Sequence, residues 1–282
     1  MKLSNTVYVL GLERNFRGTE LVNVLKKYFI DVNVFLGFDA YSSPKSEVQK
    51  FLDFKQIRFL MHRDISLGEA GCAISHKLIY EDIVLKKASS ALILEDDSII
   101  TDAKKLVSIM GEFNQLLISK PKSPIAVQLG SLHFKYSQNN DKPILKKAQF
   151  PSYGTFGYVL SQSAAVVLTK NSAKISSTAD WPIKALELDW YRSRQPVIDV
   201  QIDNSTISKD RTEIFSAENQ KHNLHYIQRY VRYFSTILGI RTLIAKRYKI
   251  SSKLSWKWDY EYKYWRKKEE KRVKNHLGEF LR

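Results

Sequence analysis

Glu95, Asp96 and Asp97 follow the apolar run Ala91–Leu94 directly, and Ile99 and Ile100 resume it. Adjacent carboxylates repel one another and lose hydration when partly buried. Such a cluster is either open to water or set against something positive. Hard carboxylate oxygens at a strand end can hold a divalent cation, and that cation can bridge and neutralise a diphosphate. A nucleoside diphosphate sugar presents such a group. The alternative for the tripeptide alone is a solvated acidic turn. The apolar residues on both sides favour a site.

Other chemistries find less support. The chain has no G-x-x-x-x-G-K-[ST] loop and no G-x-G-x-x-G turn. Cys72 and His76 stand four apart in one helical stretch, as a thiol nucleophile and its base would. No orienting partner is evident, and a small buried cysteine is the simpler reading. His76 is either a satisfied structural histidine or a group pointing to the same strand-end edge as the carboxylates. The histidines show no metal-ligand spacing.

The elements around these residues alternate. TVYVLGL (6–12) is a β-rich run, followed by Leu21, Val24, Leu25 and Phe29 at helical spacing, then by DVNVFLGFDAY (31–41) as a second strand. This pattern predicts a βαβ unit and a parallel sheet. The segment 66–87 is the strongest helix: Ser66 and Glu69 form an S-x-x-E capping box, and Ala70, Ala73, Ile74, Leu78, Val84 and Leu85 share a side. ALILEDD follows as a strand, and further strands are expected at 125–131, within 152–171 ahead of a helix, and at 196–208. Ligands of open α/β sheets gather beyond the carboxyl ends of the strands. Arg14 after the first strand, Asp39 after the second and Glu95–Asp97 after the third would share that edge.

The chain's 282 residues suit one large α/β domain with an appendage, and 44% hydrophobic content excludes a disordered chain. The net charge of +16 is concentrated at one end. Residues 221–282 hold 17 Lys and Arg against 5 Asp and Glu, whereas the first 220 hold 28 against 24. Cys72 is the single cysteine, so no internal disulfide forms and a reducing compartment fits. No stretch approaches the roughly 20 apolar residues of a spanning helix, and no signal-peptide pattern opens the chain. A cytosolic protein is expected, one that can rest on a membrane surface. Within 225–249, Tyr226, Ile227, Tyr230, Phe234, Ile237 and Leu238 recur at helical spacing among Arg229, Arg232, Arg241, Lys246 and Arg247. Such a basic amphipathic helix suits an anionic membrane surface. Packing of its apolar face on the catalytic domain is the competing reading. A basic binding protein for membrane or nucleic acid, without catalysis, is the alternative function. Trp256, Trp258 and Trp265 would then stack on bases, though nucleic acid is the less expected partner.

Four stretches resemble one family. VYVLGLERN, LGEAGCAISHKLIYEDI, ALILEDDSII and YGTFGYVLSQSAA are similar, in order, to the opening strand, the G-E-x-G-C-x-x-S-H helix, the A-L-I-L-E-D-D strand and the G-T-x-x-Y-x-x-S segment of glycosyltransferase family 25, the lipooligosaccharide galactosyltransferases. TADWP (178–182) resembles its later acidic motif. Leu10-Gly11, Glu13 and Phe156-Gly157 depart from the family's usual residues.

The resemblance implies a GT-A-like fold, with a Rossmann-like, mostly parallel sheet flanked by helices. A nucleotide-sugar half (about 1–100) joins an acceptor half (about 101–215), and a basic helical extension (216–282) follows. It implies transfer of a hexose, commonly galactose, from a UDP-sugar to a lipid-linked oligosaccharide with inversion, assisted by Mn²⁺ or Mg²⁺. Asp97 is then the expected metal ligand with Glu95 in support, and Asp96 faces the donor. Arg14, Asp39, His76 and Thr155 complete the donor-binding set. Inversion needs a general base for the acceptor hydroxyl, which an ionised carboxylate can supply. Asp180, beside Trp181, is the first choice and Asp189, beside Trp190, the second.

Overall fold

The computed structural model describes residues 2–61, 64–130, 144–148, 151, 154–170, 174–179, 185 and 187–201. Asp180 and the whole basic extension lie outside the described residues. The elements run β1 (Leu3–Gly11), α1 (Thr19–Leu25), β2 (Phe29–Leu36), α2 (Lys45–Phe51), α3 (Phe54–Met61), α4 (Leu67–Leu85), β3 (Ser90–Glu95) and β4 (Ser98–Ile100). They continue with α5 (Ala103–Ser119), β5 (Ile125–Gln128), β6 (Leu145–Lys147), β7 (Gly157–Ser161), α6 (Gln162–Thr169), β8 (Asp189–Ser193) and β9 (Ile198–Val200).

Seven strands form one sheet in the order β2-β1-β3-β7-β5-β8-β6, and β4 pairs with β9 in a separate ribbon. β1 is parallel to both β2 and β3, as the expected βαβ unit requires. β7 runs antiparallel to its neighbours β3 and β5, while β5 and β8 are parallel. The result is a mixed α/β fold with a mostly parallel sheet.

Central strands covered on both faces read as continuous apolar runs. Alternate residues then supply two cores. Val7, Val9, Leu92 and Leu94 face α1 and α5, packing with Leu25, Leu106, Ile109, Met110 and Phe113. Tyr8, Ile93 and Leu160 face α4 and α6, packing with Ile79, Tyr80, Ile83, Ala164 and Trp190. Helices therefore flank both sides of the sheet.

Several boundaries differ from expectation. Phe29 opens β2 rather than closing the first helix, and is buried at 1% exposure in the core that α1 covers. α4 carries the capping box as expected: Ser66 Oγ accepts from the Glu69 amide and Glu69 Oε2 from the Ser66 amide, both at 3.1 Å. Loss of such a cap costs about 1 kcal/mol. Its buried face is wider than the apolar stripe suggested, taking in Glu69, Gly71, Ser75 and His76, whereas Leu85 is exposed. The strand expected at 196–208 is, within the described residues, the three-residue β9, paired with β4 and outside the main sheet. Among the described residues no helix is long and apolar enough to cross a membrane.

Candidate functional site

The polar residues of α4 each have a positional reason. Glu69 caps the helix. Gly71 lets the chain after β2 pass: a Cβ there would lie 2.9 Å from the Phe38 carbonyl oxygen. Ser75 ties that chain down, accepting from the Phe38 amide at 2.8 Å and donating to the Gly71 carbonyl at 2.7 Å. His76, one residue on, is 1% exposed and reaches the acidic run, its Nε2 lying 3.3 Å from Glu95 Oε1. Its Nδ1 lies 2.6 Å from the Tyr158 hydroxyl, itself 2.9 Å from the Tyr80 hydroxyl. His76 thus points to the strand-end edge while lying within a buried polar chain.

Glu95 ends β3, and Asp96 and Asp97 form the turn into β4. The Asp96 amide donates to the Leu10 carbonyl at 2.7 Å, locking the turn onto the end of β1. Gly11 is needed beside it, since a Cβ there would stand 2.7 Å from Asp96 Oδ2. The Asp97 carbonyl accepts from the Gln201 amide at 3.1 Å, so the chain after β9 closes the other side.

What sits against the carboxylates is Arg17. Its amide donates to Asp96 Oδ2 at 3.0 Å, and its guanidinium lies 3.4 Å from Asp96 Oδ1 and 3.3 Å from Asp97 Oδ2. One guanidinium does not balance the cluster. Burial, and then the charge of Glu95, push the Asp97 carboxyl up to about 6 against the pull of Arg17. Asp97 Oδ1 is buried with no hydrogen-bond partner among the described residues. Glu95 differs: burial pushes its carboxyl up, but the His76 and Thr155 hydrogen bonds and the positive neighbours outweigh this and hold it below its ordinary value. Thr155 Oγ1 donates to Glu95 Oε1 at 2.8 Å.

The site residues expected from sequence divide into groups. Glu95, Asp96, Asp97, His76 and Thr155 come together at one edge. Thr155 arrives there because β7 is antiparallel, so its start lies where β3 ends. Arg14 and Asp39 meet each other, Nε to Oδ2 at 2.9 Å, with Arg14 also over the Tyr41 ring. Asp189 is not brought to this edge. Through β5 and β7 it is level with Ser90 at the start of β3, five residues before Glu95, about 17 Å along the strands. Its side chain lies 3.7 Å from Lys147 Nζ. Asp189 opens β8 instead of ending it, which sets it away from the carboxylates. Arg17 and Tyr158 were not anticipated. Arg17 stood in the loop already singled out for Arg14, three residues away.

An orphaned, buried carboxylate oxygen beside two further carboxylates is a donor set for a hard divalent cation such as Mn²⁺ or Mg²⁺. The site has the residues for one, with Asp97 carrying the unpartnered oxygen and Glu95 already engaged by Thr155 and His76.

The family model described as glycosyltransferase family 25 (LPS biosynthesis protein) matches residues 4–183. No curated protein matches the chain. Among solved structures, "Crystal Structure of A197 from STIV" is similar at 8% identity, covering 71% of this chain and 87% of that one, with a TM-score of 0.40.

Proposed function

We propose, for a chain that belongs to glycosyltransferase family 25 (LPS biosynthesis protein), transfer of a hexose, galactose in this reading, from a UDP-sugar to a lipid-linked oligosaccharide with inversion. The observation that carries the donor side is the orphaned Asp97 Oδ1 at the carboxyl end of β3. A GT-A-like donor half ending near residue 100 is part of the same reading. Mn²⁺ or Mg²⁺ bound by Asp97, with Glu95 in support, would neutralise charge on the departing diphosphate.

The chain's own residues do the rest. Thr155 and His76 hold Glu95 in one orientation, and the β1 carbonyl at Leu10 fixes the turn, so the carboxylates are set before the donor arrives. Arg17 offsets part of the cluster's charge and would bind the donor's diphosphate. Loss of a charge-assisted hydrogen bond is worth about 1.5–3 kcal/mol, so Arg17→Ala is expected to raise the donor KM about 10- to 100-fold. An unchanged KM would remove Arg17 from the donor site.

Asp180 is the base in this reading. Asp180→Asn is expected to slow turnover at saturating acceptor by about 100-fold or more. Normal turnover would move the role to another carboxylate. The basic extension would keep the enzyme against the anionic leaflet that holds its acceptor, each engaged Lys or Arg contributing about 1 kcal/mol. Flotation of the full chain with vesicles of rising anionic content is expected to increase, and to fall with salt. Flotation indifferent to both would refute electrostatic attachment.

The reading as a whole is tested by UDP release from a panel of UDP-sugars, with truncated lipooligosaccharides as acceptors and Mn²⁺ or Mg²⁺ present. Acceptor-dependent release from one donor supports it. No release from any donor, with a folded protein, overturns it.

A further inference from the structure

Cys72 and His76 lie one turn apart on α4, and both face the end of β3. Cys72 Sγ, a ring nitrogen of His76 and a carboxylate oxygen of Glu95 all lie within 4.8 Å of one another. The sulfur makes this donor set unlike that of Asp97. Ligands 2.0–2.3 Å from a tetrahedral ion lie about 3.3–3.8 Å from each other. The separation of His76 Nε2 and Glu95 Oε1, 3.3 Å, is already one such edge.

The ring is also held as a ligand is held. His76 Nδ1 lies 2.6 Å from the Tyr158 hydroxyl. A cation would take the place of the Nε2 proton that faces Glu95 in its absence; with Nδ1 donating to Tyr158, and Tyr158 in turn to Tyr80, the Nε2 lone pair would then point to the ion. The histidine is 1% exposed, while Cys72 and Glu95 are only partly buried, which leaves a way in for an ion.

We propose that Cys72, His76 and Glu95 form a binding site for a borderline-soft divalent cation, Zn²⁺, with water or solvent in the fourth position. It shares Glu95 with the carboxylate set around Asp97, which suits hard cations, but adds a thiolate and an imidazole to it. Binding converts the Cys72 thiol to a thiolate on the metal and releases that proton to solvent. A hard ion such as Mn²⁺ gains little from a thiolate, so the two sites differ in which ion they prefer.

The chain's single cysteine makes the test specific. Co²⁺ is titrated into the full chain, reduced and without any sugar donor, so binding is read independently of transfer. A thiolate-to-cobalt charge-transfer band with tetrahedral visible absorption is expected, bleached by equimolar Zn²⁺ and unaffected by the same amount of Mn²⁺. Cys72→Ser loses the band. Tyr158→Phe, which removes only the hydroxyl behind His76, is expected to weaken Co²⁺ binding about 10- to 100-fold. Glu95→Gln weakens it as well. Circular dichroism establishes that each variant is folded. Absence of the band in folded wild-type protein would overturn the site. So would a band of unchanged affinity in both Tyr158→Phe and Glu95→Gln, since the metal would then sit on the thiolate alone.

Discussion

Replacing Asp97 by asparagine is expected to lower metal-dependent transfer by about 100-fold or more, and to make the metal-free protein more stable at neutral pH. Both effects come from one cause. Asp97 is 13% exposed, beside two other carboxylates and a single arginine. Its carboxyl titrates at about 6 in the fold, against an ordinary 3.8. A raised value means that its contribution to stability is fully present below about pH 4 and is lost as pH rises through 6. The difference amounts to about 3 kcal/mol, at 1.36 kcal/mol per pH unit. Metal-free wild-type protein should therefore lose thermal stability across that window, and Asp97→Asn should abolish this loss. A bound cation reverses the balance by giving the ionised carboxylate a partner, so Mn²⁺ should raise the wild-type Tm at pH 7 and leave the variant unmoved. A loss of 100-fold in rate corresponds to about 2.7 kcal/mol of charge stabilisation. Full activity in the variant, or a Tm profile identical to wild type, would exclude Asp97 as the ligand.

The second large effect is expected more than thirty residues from the site's carboxylates in sequence. Gly130 follows β5, and a Cβ there would stand 2.2 Å from the Ile198 backbone oxygen and 2.5 Å from the Phe156 ring. Backbone cannot swing aside as a long side chain can. Gly130→Ala must push β9 outward, and β9 carries the Ser98–Val200 pairing and leads into the Gln201 amide that bonds Asp97. Overpacking of this kind costs about 1–3 kcal/mol. The variant is expected to have a lower Tm and weaker Mn²⁺ binding together. Gly111→Ala is the control: it lies within α5 with nothing inside 4 Å of the added methyl. Removing a helical glycine should stabilise by up to about 1 kcal/mol. Equal Tm values for Gly130→Ala and wild type would show that β9 yields freely.

What could be read from sequence depended on how local its cause was. The capping box of α4 needs only Ser66 and Glu69, three residues apart. The β3 run announces itself by Ala91–Leu94 and its acidic end. α5 is equally legible, although it was not anticipated: Leu106, Ile109, Met110 and Phe113 recur at helical spacing, and Asp102 caps the start by accepting from the Lys105 amide at 2.9 Å. Other features belong to tertiary structure. Arg14 and Arg17 are indistinguishable as loop arginines, yet one meets Asp39 and the other a carboxylate 79 residues on. Asp189 and Asp97 each lie at the end of a largely buried strand, but one opens its strand and the other follows its end, and only strand direction separates them. The antiparallel entry of β7, which delivers Thr155 to Glu95, has no local signature at all.

That same strand imposes an order on synthesis. β3 has two neighbours in the finished sheet, β1 and β7, and β5 reaches the first three strands only through β7. Until residue 161 has left the ribosome, the nascent chain can form only the β2-β1-β3 piece of the sheet, and β5 and β6 still lack their partners. Along β3, Ala91–Leu94, fully buried in the folded protein, wait with one edge unpaired. A gap of more than sixty residues separates that edge from its partner, so the centre of the sheet is closed by one of its most sequence-distant pairings. The nascent chain is therefore most exposed to wrong pairing between residues 95 and 161, when β3 has already been made and the strand that covers its edge has not.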